Sequence, residues 1–411
     1  MNNATAVIVA IQAPEKAKSR LANALIPYHR RTLVTAMLTD FLEALRSVHS
    51  GPIIIVTDSD NYQDIASQTD AIIVEDSGSG FNQAAIAGIE FAANNTEADS
   101  ILIFPGDIPQ ASSNDISDLI ASLQASRKDA VTLVASKDGG TTGLGLHIPT
   151  TYQTQFGLES ALKHREQATL LGMGVNEMIL SSLEIDIDTI DDLEQVQNIV
   201  GKHTASALEI ILFEKHLAER RSFRGLQGPP LTQEEIESLI RLGLKAPAPH
   251  HSTPWRFVIV GSESRPVLAG EMGAKWKQDL LGDGVPEAQI NKALANSSAR
   301  ILSAPTLLLG CLVQEGLNTY ADSERASAEW GLAQHSIGAA LENILLAAHV
   351  RNYGAYWISA PLYAGDKVRT ALRLEHEWIP QALIALGRKN SDYKPFDRPE
   401  LDINDYLIWR E

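Results

Sequence analysis

Short apolar runs alternate with longer stretches of helical period over the first quarter of the chain, and few folds accept that pattern. Ala6-Val7-Ile8-Val9-Ala10 is apolar at every position, as a strand covered on both faces must be. A helix is expected over residues 28–48, where Leu33, Met37, Phe41 and Leu45 fall on one face. Strands at 52–57, 71–75 and 100–104 follow, with a helix at 83–93 between the last two. This β-α-β alternation predicts a doubly wound α/β sheet. Ligands of such sheets gather beyond the carboxyl ends of the strands.

The chemistry-bearing residues fall at those ends. Lys16, Lys18 and Arg20 follow the first strand, where cations suit a polyphosphate. Asp107 follows the strand at 100–104 and is boxed by Pro105 and Pro109. A second pair of acids, Asp186 and Asp188, sits one residue apart in Ile185-Asp186-Ile187-Asp188-Thr189. Three carboxylates at one sheet edge suit Mg²⁺, which takes oxygen ligands and is shared with substrate phosphates. The plainer alternative is that Asp107 caps a helix starting near Ser112 or Asn114, with Asp186 and Asp188 solvated. Gly78 and Gly80 precede Asn82, and permit close approach of a base or ribose. Thr142 lies in the glycine-rich run Gly139-Gly140-Thr141-Thr142-Gly143, and Gly157 and Ser160 open a further helix, whose N–H groups can hold an anion.

At 411 residues the chain is long for one core, so two units are expected, 1–204 and 205–411, with a polar seam around Gly201 to Ser206. The formal net charge of −17 argues against nucleic acid and anionic membranes as partners. The single cysteine, Cys311, lies in an apolar run and is expected to be buried and inert. Without a signal-like start or a span-length apolar run, the expected compartment is the cytoplasm.

The second half opens with a helix over 207–217 and the cluster Arg220-Arg221-Ser222-Phe223-Arg224, whose guanidinium groups match a phosphate. A capping box, Thr232 to Glu235, starts a helix over 232–244. The loop Ala246-Pro247-Ala248-Pro249-His250-His251 precedes a strand at 257–261. Adjacent histidines point apart, so the loop suits the wall of a flat cofactor better than a metal site. A helix over 323–351 is apolar on more than one face, as in a core or a subunit interface. Strands are expected at 353–359 and 381–386.

Lys16-Ala17-Lys18-Ser19-Arg20-Leu21, Gly80-Phe81-Asn82-Gln83-Ala84, Phe104-Pro105-Gly106-Asp107-Ile108-Pro109, Gly139-Gly140-Thr141-Thr142 and the Asp186/Asp188 run together resemble the 2-phospho-L-lactate/phosphoenolpyruvate guanylyltransferases of coenzyme F-420 biosynthesis. The resemblance implies a Rossmann-like nucleotidyltransferase domain. It places Mg²⁺ on Asp107, Asp186 and Asp188, GTP phosphates near Lys18 and Arg20, and guanine near Asn82. A phosphorylated three-carbon acid would lie near Thr142, Gly157 and Ser160. The Arg-Arg-Ser cluster, the Pro-Trp-Arg-Phe loop, Ala304-Pro305 and Leu386-Gly387-Arg388 resemble the FMN-dependent nitroreductase family, closest to a dehydro-F-420 reductase domain. That likeness implies an α+β domain and a homodimer. It places FMN on Arg220, Arg221, Ser222, Phe223, Arg224 and Arg388, with Ala248, Pro249, His250 and Ser359 along the flavin. Asp279 would lie near the deazaflavin substrate, dehydro-F-420.

The two resemblances converge on one bifunctional enzyme that joins GMP to a phosphorylated acid and later reduces a double bond. A reductase is needed only if the precursor is unsaturated, which favours phosphoenolpyruvate over 2-phospho-L-lactate; 3-phosphoglycerate stays open. The same folds accommodate a sugar or molybdopterin nucleotidyltransferase fused to a general nitro or quinone reductase. A non-enzyme alternative makes one half a degenerate dimerisation scaffold.

Overall fold

The computed structural model describes residues 4–18, 21–22, 25–76, 80–185 and 199–410. It divides into two compact units, Met1–Glu214 and Lys215–Glu411. The first contains β1 (Thr5–Ala10), α1 (Pro27–Val48), β2 (Ile53–Thr57), α2 (Gln63–Gln68), β3 (Ala71–Glu75) and α3 (Phe81–Asn95). It continues with β4 (Ser100–Pro105), α4 (Ser113–Ala125), β5 (Ala130–Ala135), β6 (Thr141–His147), α5 (Ser160–Leu170) and β7 (Gly174–Met178). The described strands form one sheet in the order β3-β2-β1-β4-β6-β5-β7. β3, β2, β1 and β4 are parallel, as the β-α-β alternation requires. β6 runs against both β4 and β5, while β7 lies parallel to β5.

Alternation along β1 makes the sheet two-sided. Val7 and Val9 face a core shared with α1 and α4, whereas Ala6, Ile8 and Ala10 face one shared with α3 and α5. α3 comes so close to the sheet that a Cβ on Gly88 would lie 2.5 Å from the Ile8 side chain. Ser112 caps α4, its hydroxyl accepting from the Asp115 N–H at 3.1 Å, so the capping role open to Asp107 is filled by another residue. Between β5 and β6 the register steps from Val134↔Gly143 to Ala135↔Thr141, which leaves Thr142 as the extra residue of a bulge.

α6 (Lys202–Glu219) follows, and the expected boundary at 204/205 falls inside it. Its first turn is capped by Asp40, which accepts from the His203 and Thr204 N–H groups at 3.0 and 2.7 Å. Leu208 and Ile211 are buried in the core of the first unit.

The second unit continues with β8 (Leu226–Gln227), α7 (Gln233–Gly243), β9 (Trp255–Ile259), α8 (Arg265–Gly282), α9 (Glu287–Ser303) and β10 (Thr306–Leu312). After these come α10 (Ser323–Val350), β11 (Tyr353–Ile358), α11 (Ala360–Tyr363), α12 (Gly365–Leu372) and β12 (Ile379–Lys389). Its sheet, β11-β12-β10-β9, is antiparallel at every pairing, and β8 adds to the end of β12. One face packs on α10 through Ile337, Leu341 and Ile344; the other packs on α8 and α9 through Leu268, Met272 and Ile301. The strand expected at 257–261 begins at Trp255, because Trp255 pairs with Leu312. Among the described residues no helix is long and apolar enough to cross a membrane.

Candidate active sites

β1 and β4 are neighbours, and Ala10 pairs with Pro105 at their carboxyl ends. The loops beyond them bring Lys18 and Asp107 together, Nζ to Oδ2 at 2.7 Å, with the lysine side chain 3% and the aspartate 29% exposed. A nearly buried ammonium held by a half-open carboxylate is a local charge centre at the edge where ligands gather. Lys18 adopts φ 52°, a left-handed conformation unusual for a residue with a side chain. Lys16 is matched in the same way by Asp58, which follows β2; that carboxylate also accepts the Ala13 N–H at 2.7 Å. The pairing holds the Asp58 carboxyl below the usual range. Arg20, Asp186 and Asp188 lie outside the described residues.

Across the sheet edge, Asn82 does not present its amide to open space. Its Nδ2 donates to the Phe156 carbonyl at 3.0 Å and its Oδ1 accepts the Phe156 N–H at 2.7 Å, clasping the loop before α5. Gly157 follows at φ 128°. Ser160 is buried and committed: its N–H donates to Gly157 O and its hydroxyl to Thr141 Oγ1 at 3.0 Å. Thr142, the bulge residue, is 3% exposed, and its Oγ1 has no partner among the described residues. The hydroxyls of Thr57, Thr132, Thr154, Thr204 and Ser252 are likewise buried without a partner among the described residues, so what distinguishes Thr142 is its place at the bulge beside Thr141 and Ser160. A residue with no sequence signal joins this corner: His164, 1% exposed, bonds Thr141 Oγ1 through Nδ1 at 3.0 Å and accepts the Gln155 N–H on Nε2 at 2.9 Å. Burial pushes its pKa down to about 4.

In the second unit Arg220, Arg221 and Phe223 line a cavity of about 170 Å³ with His349, Tyr353 and Lys389. Lys389, which sequence reasoning passed over, supplies a cation whose pKa burial lowers. Arg220 Nε meets Glu342 at 2.8 Å, and Arg221 donates to the Ala218 carbonyl at the end of α6. Phe223 joins its N–H to Ala355 O on β11 at 2.9 Å and stacks edge-on against Tyr393. Ser222 and Arg224 are exposed. Arg388 turns elsewhere: it bonds Glu235 at 2.7 Å and covers the Tyr353 ring, and Glu235, which also closes the capping box on Thr232, has its pKa lowered to about 2.

Pro249 follows half-buried Ala248, and His250 and His251 take φ 53° and 57°. His250 Nε2 lies 3.5 Å from Glu329 Oε2, an acid on α10 that is only 5% exposed and accepts the Asn318 N–H at 2.9 Å. Ser359 is exposed at the start of α11. Asp279 pairs with Lys275 at 2.5 Å and lines a cavity of about 600 Å³ with Trp276, Arg300 and Tyr363. Cys311 is fully buried and its thiol pKa is pushed up to about 12.

A doubly wound unit with a charge centre beyond β1 and β4, joined to an antiparallel unit with a basic cavity, defines a two-part enzyme. The chain belongs to the family described as Guanylyl transferase CofC like, whose model matches residues 5–221, and residues 217–388 match that of the Nitroreductase family. It is 32% identical over 206 residues to a 3-phospho-D-glycerate guanylyltransferase of Phenylobacterium zucineum, covering 49% of this chain and 94% of that one. It is 32% identical over 194 residues to a phosphoenolpyruvate guanylyltransferase of Sphaerobacter thermophilus, covering 47% and 92%. Among solved structures, a BluB-like flavoprotein from Clostridium difficile 630 aligns with TM-score 0.40 at 21% identity, over 48% of this chain and 98% of that one. A nitroreductase-like family protein from Bacillus cereus aligns with TM-score 0.38 at 18% identity, over 48% and 96%.

Proposed function

We propose that the first unit transfers GMP from GTP to phosphoenolpyruvate and releases diphosphate, and that the second reduces dehydro-F-420 with FMN as a cytoplasmic homodimer. The observation that carries the first activity is the Lys18–Asp107 pair beyond β1 and β4. An oxygen of the acceptor phosphate attacks the α-phosphorus of GTP, and the bond to the β-phosphate breaks. Lys18, held by Asp107, offers a fixed positive charge to the polyphosphate with little reorganisation. Asp107 has a half-open carboxylate and fits a cation; with Asp186 and Asp188 it would hold Mg²⁺, which neutralises phosphate charge when bound. Thr142, with its unpartnered hydroxyl, Gly157 and Ser160 form the acid corner. Asn82 shapes the guanine side through Phe156.

In the second unit the cavity lined by Arg220, Arg221 and Lys389 fits the FMN phosphate, with Ser222, Phe223 and Arg224 completing the cradle and Arg388 buttressing it through Glu235. Ala248, Pro249, His250 and Ser359 would flank the ring. FMN supplies hydride chemistry when bound. Asp279 and its cavity receive the deazaflavin. A fused reductase favours an unsaturated acceptor. The similarity to a relative named for 3-phospho-D-glycerate supports that acid as the second reading.

The test is mass spectrometry of products from the intact chain with GTP, Mg²⁺ and each acid in turn. The expected product is the GDP-linked enol acid from phosphoenolpyruvate. Preference for 3-phosphoglycerate establishes the second reading, and turnover of neither removes the acceptor assignment.

A further inference from the structure

His164 sits at the centre of a closed polar circuit. Its Nε2 accepts the backbone N–H of Gln155, so the proton of the neutral ring must lie on Nδ1, which donates to Thr141 Oγ1. Thr141 Oγ1 accepts a second bond from the Ser160 hydroxyl at 3.0 Å. The His164 carbonyl takes the Tyr152 hydroxyl at 2.8 Å. The ring is packed at 5.0 Å from Phe156 in an edge-on contact and at 6.1 Å from Tyr152. One side chain thus joins the loop before α5 to the strand residue next to the Thr142 bulge, where Ser160 at the start of α5 also bonds. A charged imidazolium would set N–H against N–H at Gln155, and burial already holds the ring neutral.

The opposite side of this loop has its own clamp, the Asn82 amide on Phe156. The two clamps lead to different places: Asn82 to α3, His164 to the Thr141–Thr142 pair. We propose that His164 is a positioning residue for the acid acceptor: it fixes Gln155 to the Thr141 hydroxyl that Ser160 also bonds, and so sets the spacing between the Gly157–Ser160 turn and the Thr142 hydroxyl. The inference rests on the acid corner assigned above. It adds a separate claim, that the acceptor subsite is tuned through a residue that touches no substrate.

Three single variants of the full chain and one double variant test it. His164→Phe keeps the ring volume between Tyr152 and Phe156 and removes both polar contacts. His164→Gln keeps an acceptor for the Gln155 N–H. Thr141→Val removes the oxygen that both His164 and Ser160 bond, and serves as the second route if His164→Phe fails to fold. His164→Phe and Thr141→Val should each raise the acceptor KM by about tenfold, the scale of a lost buried hydrogen bond, with the GTP KM changed by less than about twofold. The double variant should be no worse than the more affected single variant, because both break the same circuit. His164→Gln should recover part of the acceptor KM.

Equal rises in both KM values would show that His164 only supports the loop as a whole and would overturn the proposal. So would an unchanged acceptor KM in either variant. If the wild-type chain turns over no phosphorylated acid, the acid corner and this proposal fall together; if it turns over an acid and the variants do not separate the two KM values, only the positioning role falls.

Discussion

In the first unit the cations after β1 are met by acids from neighbouring strand ends, Lys16 by Asp58 after β2 and Lys18 by Asp107 after β4. In the second unit the acids that meet Arg220 and Arg388 come from helices, Glu342 on α10 and Glu235 on α7, although Arg256 on β9 is met by Glu315 beyond β10. The contrast follows from strand direction. Parallel β2, β1 and β4 all end on one side, so their following loops converge there. The antiparallel strands of the second unit end on alternate sides, so its charged residues are spread along the chain and gathered by helices. A parallel sheet edge can therefore be read as a site from strand order alone, whereas the second unit's basic cavity needs the packed structure.

The sharpest way to break this contrast is Asp107→Ala. If the edge is the site, guanylyl transfer should fall by about a thousandfold or more, the scale of losing charge control over a transferring phosphoryl group. Flavin-dependent reduction by the same sample should persist. Retained transferase activity would move the chemistry away from β4.

A truncation asks where each unit owns its core. A fragment of residues 1–214 keeps Leu208 and Ile211 in the first core; one of 1–204 loses both, at about 2–5 kcal/mol for each buried aliphatic side chain. Against a typical total of about 5–15 kcal/mol, the shorter fragment should melt far earlier or fail to fold. Identical melting curves for the two fragments would show that α6 is dispensable to that core.

The second unit's cavity is tested by replacing Arg220 and Arg221 together with Ala. Two charge-assisted contacts of about 1.5–3 kcal/mol each would be lost, so FMN affinity should weaken by at least about a hundredfold. Equilibrium titration of apo-protein reads this directly, and an unchanged affinity moves the phosphate elsewhere.

The smallest effect is a pH dependence in the first unit. His164 has its folded pKa lowered from 6.5 to about 4. Its stabilising contribution is fully present above pH 6.5 and is lost as pH falls toward 4, by about 3 kcal/mol at most. Urea melts of the first unit should show this slope in the wild type and a shallower one in His164→Phe, the remainder including His49, whose pKa burial also lowers. Parallel slopes in both would assign the acid sensitivity to other groups.

The first unit was legible where one residue type carries the message. The run Ala6–Ala10 is apolar throughout and proves buried throughout, and Asp107 stands between two prolines after a strand. What escaped depends on pairings made far along the chain. The Asn82 amide clasps Phe156, 74 residues on, a pairing that no local pattern shows. Nothing in a lone histidine on α5 shows that its two nitrogens join a strand and a loop. The Thr142 bulge is a property of register, which no local pattern encodes. Arg265 is an unmarked arginine in sequence. In the fold it is buried, its guanidinium donating to the carbonyls of Val260, Ala304 and Pro305.

Lys18 holds its ammonium in place from a left-handed backbone, where a side chain costs about 1–2 kcal/mol and glycine costs none. Backbone strain and the nearly buried ion pair with Asp107 therefore pull this position in opposite directions. Glycine here would relieve the backbone but leave Asp107 without its nearly buried partner and, on the proposed reading, the polyphosphate without its fixed charge. Any effort to harden this chain for use as a reagent has to select for product at every round.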